Sequence, residues 1–161
     1  MVRHVLSHEA GPVLQFVKYA VVGGLATASH ILFFYACALF ILPCMTPDDF
    51  LVRLLGIDVP VVDEATRAWR AAIGNAGAFV FSNTLCYLLN RRFVFKPGRH
   101  HWAVEFLLFF GVSGLSMLLG TAIQSWLIVR LAMQTSLAFG ANLVTSLLIN
   151  YAMRRFVIFK G

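Results

Sequence analysis

The chain has 161 residues, 60% of them hydrophobic and 12% charged, with 13 Lys and Arg against 7 Asp and Glu. Soluble domains carry about twice that charged fraction, and so little polar surface cannot coat a globule against water, so the composition excludes a soluble domain and reads as an integral membrane protein. The net charge of +6 does not point to nucleic acid, because the basic residues flank apolar runs; such flanks suit anionic lipid headgroups.

Met1 to Pro12 is mixed and polar and does not read as a cleavable signal, since the apolar run that follows is too long for one. Four apolar runs approach or exceed a span of roughly 20 residues: Phe16–Leu42, Ala71–Leu89, Phe106–Val129 and Leu137–Met153. With their interfacial arginines the second and fourth extend to 91 and 156. In lipid each must be a helix to satisfy its own backbone. The expectation is an all-α integral membrane fold, one transmembrane domain over 1–161, with an outer insertion at 43–70 and an inner loop at 92–105. Basic residues set the orientation. Arg3 and Lys18 precede or open the first run, Arg91, Arg92, Lys96 and Arg99 follow the second, and Arg154, Arg155 and Lys160 follow the fourth. The insertion sets Arg53, Arg67 and Arg70 against Asp48, Asp49, Asp58, Asp63 and Glu64. Both termini are therefore expected in the cytoplasm. Pro97-Gly98 is expected to end the second helix and begin the turn to the third.

The halves repeat. Phe16, Tyr19 and Leu25 overlay Phe106, Phe109 and Leu115 at a shift of 90. Tyr87, Arg91, Phe95 and Lys96 overlay Tyr151, Arg155, Phe159 and Lys160 at a shift of 64. The difference between the shifts places about 26 extra residues in the first half, where the insertion lies. The layout expected is two parallel helical hairpins related by an axis along the membrane normal.

Polar residues inside the runs fall in rows. Asn142, Ser146 and Asn150 lead to Arg154 at steps of four, one slowly drifting helix face. Asn75, Asn83 and Asn90 fall within a sector of about 80°. Such rows read either as interhelical hydrogen bonds or as a hydrophilic seam for a headgroup. His30 reads as a titrating group or a bundle hydrogen bond. Small residues (Ala20/Gly24/Ala28, Gly74/Ala78, Gly111, Gly114, Gly120) are expected to allow close helix packing. Lys18, Arg91, Arg92, Arg154 and Arg155 sit near one depth, either as independent anchors or as a collar for a phosphate, whose oxygens match guanidinium forks. The outer Asp48 and Asp49 read as a solvated loop or as hydrogen-bond acceptors for sugar hydroxyls. Cys37, Cys44 and Cys86 lack metal spacing, no catalytic constellation or nucleotide loop is visible, and neither enzyme activity, metal nor cofactor is expected.

The stretches FVKYAVVGGLAT, YLLNRRFVFK and INYAMRRFVIFK together resemble the GtrA-like family over nearly the whole chain outside the insertion. The resemblance implies a small four-helix protein of the bacterial inner membrane. It implies passage of a polyprenyl-phosphate-linked monosaccharide, such as undecaprenyl-phosphate glucose, between leaflets for a membrane glycosyltransferase acting on O-antigen or other surface polysaccharide. It also implies roles for Lys18, Gly24 and Thr27, for Asn90 and Arg91, and for Asn150, Tyr151 and Arg155. Cys86 stands where the fourth helix has Asn150, so the halves are not chemically equivalent. The expected mechanism has the cationic collar holding the lipid phosphate and a polar path of Thr27, Asn83, Asn90, Asn142, Asn150 and Tyr151 shielding the sugar. The expected partners are that lipid-linked sugar, membrane lipid, a membrane glycosyltransferase and further copies of the chain, with no nucleic acid. The rival is a non-transporting adaptor that anchors a polyprenyl-phosphate glycosyltransferase. A small multidrug-type exporter would want a glutamate within the membrane, and Glu9, Glu64 and Glu105 all lie outside the apolar runs.

Overall fold

The computed structural model describes residues 12–94 and 101–153, with the backbone alone at 12, 13, 15, 16 and 150–153. Those residues form helices and short connections, with no strand among them. Helix α1 (Pro12–Ala36) runs on through a π-helical turn, Cys37–Ile41. A short helix α2 (Phe50–Leu55) follows in the insertion. Helix α3 (Glu64–Leu89) ends in a second π-helical turn, Asn90–Val94. Helix α4 is Trp102–Leu131 and α5 is Thr135–Met153. Among the described residues, three helical stretches are long and apolar enough to cross a membrane: Val17–Ile41, Glu64–Val94 and Trp102–Leu131. The apolar part of α5, Thr135–Ile149, is shorter.

On α4 the packing is inverted relative to a soluble bundle. The buried residues of α4 are Ser116, Gly120, Gln124 and Ile128, one stripe at steps of four. Leu107, Leu108, Leu118 and Leu119 of the same helix face outward and are exposed. Polar and small residues inside with leucines outside suit lipid as the solvent. Trp102 and Trp126, both exposed on α4, stand about 36 Å apart at 1.5 Å per residue, which brackets a hydrocarbon core of about 30 Å with interfacial aromatic rings.

Helix α3 begins at Glu64, seven residues before its apolar run, so residues 64–70 of the expected outer loop are helical. The cause is a cap: Asp63 accepts the Thr66 N–H at 3.0 Å, closing the first turn. The rest of the insertion is also built. Asp49 caps α2 through the Leu51 N–H at 3.2 Å, and Gly56, at φ 63°, ends it in the left-handed region that suits glycine. At the other end of α3 the helix continues through Val94, into the expected inner loop. Pro97-Gly98, Lys96 and Arg99 lie outside the described residues. Helix α1 packs on α3, α3 on α4 and α4 on α5.

The small residues divide in two. A Cβ at Gly74 would lie 3.5 Å from the Cys37 Cβ, and one at Gly120 would meet Asn142 and Ser146. A Cβ at Gly24 or Gly111 would meet nothing within 4 Å. Close packing therefore holds at Gly74 and Gly120, and is corrected at Gly24 and Gly111, which face open space.

Candidate functional site

A cavity of about 650 Å³ lies between the four long helices. It runs from His30, Asn75 and Asn142 near mid-helix to Tyr19 and Asn90, one residue from Lys18 and Arg91 respectively. Tyr19 and Phe109, paired in the sequence overlay, both line it.

Its inner end is a hydrogen-bonded floor. Asn75 Nδ2 donates to Thr121 Oγ1 at 2.5 Å, and Asn75 Oδ1 lies 2.9 Å from His30 Nε2. His30 Nδ1 is 3.1 Å from Ser82 Oγ. The His30 ring stacks on Phe139 at 5.9 Å, and Phe139 lies on Phe34 at 3.8 Å. On the far wall Asn142 Nδ2 donates to Gln124 Oε1 at 2.6 Å. The Ser146 hydroxyl lies 3.1 Å from both the Ser116 carbonyl and Asn142 Oδ1. These bonds join α1 to α3, α3 to α4 and α4 to α5, which is the interhelical role expected of intramembrane polar groups.

Some lining atoms are left over. Asn83 Nδ2, Asn90 Oδ1 and Ser116 Oγ are buried and make no hydrogen bond, and all three residues line the cavity. A buried polar atom without a partner costs about 1–3 kcal/mol, so the wall in this conformation carries an unmet demand for hydrogen bonds. Asn90 spends its Nδ2 on the Cys86 carbonyl at 2.9 Å and sulfur at 3.3 Å. Thr27, also in the lining, turns its hydroxyl back to the Gly23 carbonyl at 3.0 Å.

Of the expected collar, Lys18 lies on α1 and Arg91 and Arg92 on the π-helical turn that packs against α1. Arg91 Nη1 donates to Tyr87 Oη at 3.0 Å and to Glu105 Oε2 at 3.1 Å. Tyr87 donates to the Trp102 carbonyl at 3.0 Å and packs edge-on against Phe106. Arg92 is exposed, its guanidinium 5.7 Å from the Phe93 ring. Arg154 and Arg155 lie outside the described residues, as do the side chains of Asn150 and Tyr151. The Glu105 contact was missed by sequence reasoning. Its signal was an acid 14 residues beyond Arg91, at the head of the next helix.

The opposite end is clasped. The buried Arg67 guanidinium binds Glu64 and reaches the Met133 carbonyl at 2.6 Å and Thr135 Oγ1 at 3.5 Å. Thr135 in turn donates to the Cys44 carbonyl. Arg70 donates to the Pro43 carbonyl at 2.9 Å. Asp49 is fully buried and accepts from Ser136 N at 2.9 Å and Ser136 Oγ at 2.6 Å. Its carboxylate is engaged on both oxygens within the protein, so the expected exposed sugar acceptor at Asp49 is instead a structural tie. Asp48 remains at the surface, where the nearby Thr46 hydroxyl and a hydrogen bond from Gln134 at 3.0 Å hold its carboxyl below the usual range. Burial pushes the Cys44 thiol up to about 12, against the opposing pull of Arg67 and Arg70. Sequence reasoning counted Arg67 as topological charge, and only the fold shows its burial. Among the described residues no group of three or more His, Cys, Asp or Glu stands together to hold a metal.

The chain matches no curated protein and no solved structure. A family model described as "GtrA/DPMS, transmembrane domain" matches residues 18–159. That stretch takes in the cavity, the Arg91 mouth and the clasp, and it shows that this multi-pass membrane chain belongs to the GtrA/DPMS transmembrane-domain family.

Proposed function

We propose that the chain carries the head of a polyprenyl-phosphate-linked monosaccharide between membrane leaflets, as a translocase without chemistry of its own. In this reading the four long helices all cross the membrane as two parallel hairpins, the Lys18 and Arg91 end faces the bacterial cytoplasm, and the chain works beside a membrane glycosyltransferase and further copies of itself. The observation that carries the reading is the cavity with unpaired polar atoms in a chain whose outer faces are leucine-rich. The family match supports a membrane function related to polyprenyl-phosphate sugars.

The division of labour follows from where the charges lie. Between Tyr19 and Pro47, Ala71 and Asn90, Phe106 and Val129, and Leu131 and Met153 there is no Asp, Glu, Lys or Arg. A phosphate is therefore captured first at the mouth, where Arg91 presents a fork that matches its oxygens, with Lys18, Arg92, Arg154 and Arg155 as further cations, before it crosses with the sugar. The sugar enters the polar lining of Thr27, Asn83, Asn90 and Asn142, with Asn150 and Tyr151 further along α5. The polyprenyl tail stays in lipid. Glu105 holds Arg91 until the phosphate arrives, and the direction of travel follows consumption of the sugar on the far side.

The test is passage of undecaprenyl-phosphate glucose across liposomes containing the purified chain, read by enzymatic accessibility of the sugar. Wild type is expected to move it and Arg91→Ala to lower the rate at least tenfold. No movement by wild type, with glycosyltransferase retention on the purified chain, would favour the adaptor instead.

A further inference from the structure

We infer that the cavity opens sideways to the membrane through a slot between α1 and α5, and that this slot seats the hydrocarbon chain of a lipid whose polar head occupies the cavity. This rests on the reading of the cavity as the site of the head.

The long helices alternate in direction. Cys37 lies by Gly74 and Phe33 by Gly77. Asn75 meets Thr121, and Phe79 meets Phe110. Gln124 meets Asn142, and Ser116 meets Ser146. In each pair of helices the numbering rises on one as it falls on the other, so after three reversals α1 and α5 are antiparallel. These two helices meet at the clasped end, where the Phe34 ring lies 3.8 Å from Phe139 and Tyr35 Oη donates to Ser136 Oγ at 3.2 Å. Followed from that pair toward Lys18, one residue back on α1 for one forward on α5, Thr27 comes level with Val144 and Gly24 with Leu147.

At that level the wall is open. The cavity-lining residues of α3 and α4 are all buried or half-buried. The lining residues that are exposed are Ala20 and Thr27 on α1 and Val144 and Leu147 on α5, the last two 58% and 69% exposed. A residue can line a cavity and still be exposed only at the rim, so the rim runs between α1 and α5. The α1 lip is low, because a Cβ at Gly23 or Gly24 would meet nothing within 4 Å. From Ala20 to Thr27 the rim is about 10 Å tall at 1.5 Å per residue.

The surroundings of the slot decide its occupant. Val21 and Leu25 beside it on α1 and Leu148 beside it on α5 are exposed, and the α1 lip lies within the spanning stretch Val17–Ile41, so the slot gives onto hydrocarbon. Behind it stand Asn75, Ser82, Asn83 and Asn142. A molecule that fills both must be polar at one end and apolar at the other, joined across the rim. A lipid with its head turned inward meets both demands. A helix of a second copy laid on the rim would cover Val144 and Leu147 and leave the amides behind it unfilled, and a free sugar has nothing to place between the lips. With the slot, the chain of the lipid never has to pass through the protein.

The test places p-benzoylphenylalanine in turn at Val144, at Leu147 and, as the control, at Leu118, which is exposed on α4 outside the cavity lining. Each protein is irradiated in phosphatidylglycerol liposomes doped with undecaprenyl-phosphate glucose, and the adducts are read by intact mass. The ratio of undecaprenyl to phosphatidylglycerol adducts is expected to be at least fivefold higher at Val144 and Leu147 than at Leu118. The same ratio at all three positions overturns the slot. Crosslinks to a second copy at Val144 and Leu147 in place of lipid also overturn it, and assign the rim to an interface between copies. Gly24→Phe raises the α1 lip into open space and is expected to lower the ratio at Leu147 at least threefold, while Leu25→Phe on the neighbouring lipid face leaves it unchanged; equal effects overturn the slot. Crossing is read separately, in the liposome assay above. Enriched labelling at the lips without crossing means that the translocase reading falls and the slot stands. Crossing with uniform labelling means that translocation stands and the slot falls.

Discussion

Gly120 is a close crossing of α4 and α5, and Gly120→Ala measures how much that contact matters. The added methyl would meet the Asn142 and Ser146 side-chain oxygens well inside contact and the Asn142 carbonyl oxygen at 3.1 Å. The side chains can rotate away, at the loss of the Asn142 bond to Gln124 and the Ser146 bond to the Ser116 carbonyl. The carbonyl cannot rotate, so the helices must part by a few tenths of an ångström. Interhelical hydrogen bonds in membranes average about 0.6 kcal/mol each, overpacking costs about 1–3 kcal/mol, and alanine returns about 1 kcal/mol of helix propensity. The net expectation is a loss of about 1–3 kcal/mol. Gly111→Ala on the same helix is the control, because a Cβ there meets nothing within 4 Å, and it is expected to be neutral or stabilised by up to about 1 kcal/mol. Both are read as unfolding free energies in mixed micelles, by tryptophan fluorescence during titration with dodecyl sulfate. Gly120→Ala as stable as wild type, or more stable than Gly111→Ala, would refute the close crossing and the polar wall it supports.

Arg67→Ala is expected to lower stability by about 2–4 kcal/mol in the same titration, since it empties a buried site and strips partners from the Met133 carbonyl and Thr135. Glu64→Gln is expected to cost under about 1 kcal/mol, because the Glu64 side chain is 44% exposed and its charge returns to water; equal losses would show that the ion pair, and not the clasp, matters. Cys44 is expected to resist maleimide at pH 8 in a Cys37→Ala/Cys86→Ala background and to react once unfolded, followed by intact mass. The sign of its linkage follows: the folded thiol sits near 12 against an ordinary 9.0, so its contribution is fully present below pH 9 and is lost as pH rises toward 12. Rapid labelling of the folded protein at pH 8 would refute the burial.

What the sequence revealed was mostly one-dimensional. Charges at the ends of apolar runs marked the spans, because an ion near a helix end is tolerable where one at mid-membrane is costly. The insertion was read as a loop, although Asp63 with Thr66 and Asp49 with Gly56 are cap signals lying in plain view; hydropathy alone passed over them. The pairing of His30 with Asn75 and of Gln124 with Asn142 was not legible, since it depends on how each helix is rotated against a neighbour dozens of residues away. Nor was the burial of Arg67, which depends on the α4–α5 turn folding back over it. The rows of asparagine were legible as rows. The finding that Asn75 and Asn142 are spent on structure while Asn83 and Asn90 keep an unpaired atom came only from three dimensions.

The two ends of the bundle are not held alike. At one, Arg67, Asp49 and Thr135 bolt the insertion and the α4–α5 turn together, and the Phe34–Phe139 stack lies beneath them. At the other, among the described residues, Arg91 is tied to Glu105 and Tyr87, and Tyr87 to the Trp102 carbonyl. The two ends therefore open at different cost, and local unfolding is expected to begin at the Arg91 end before it reaches the clasp.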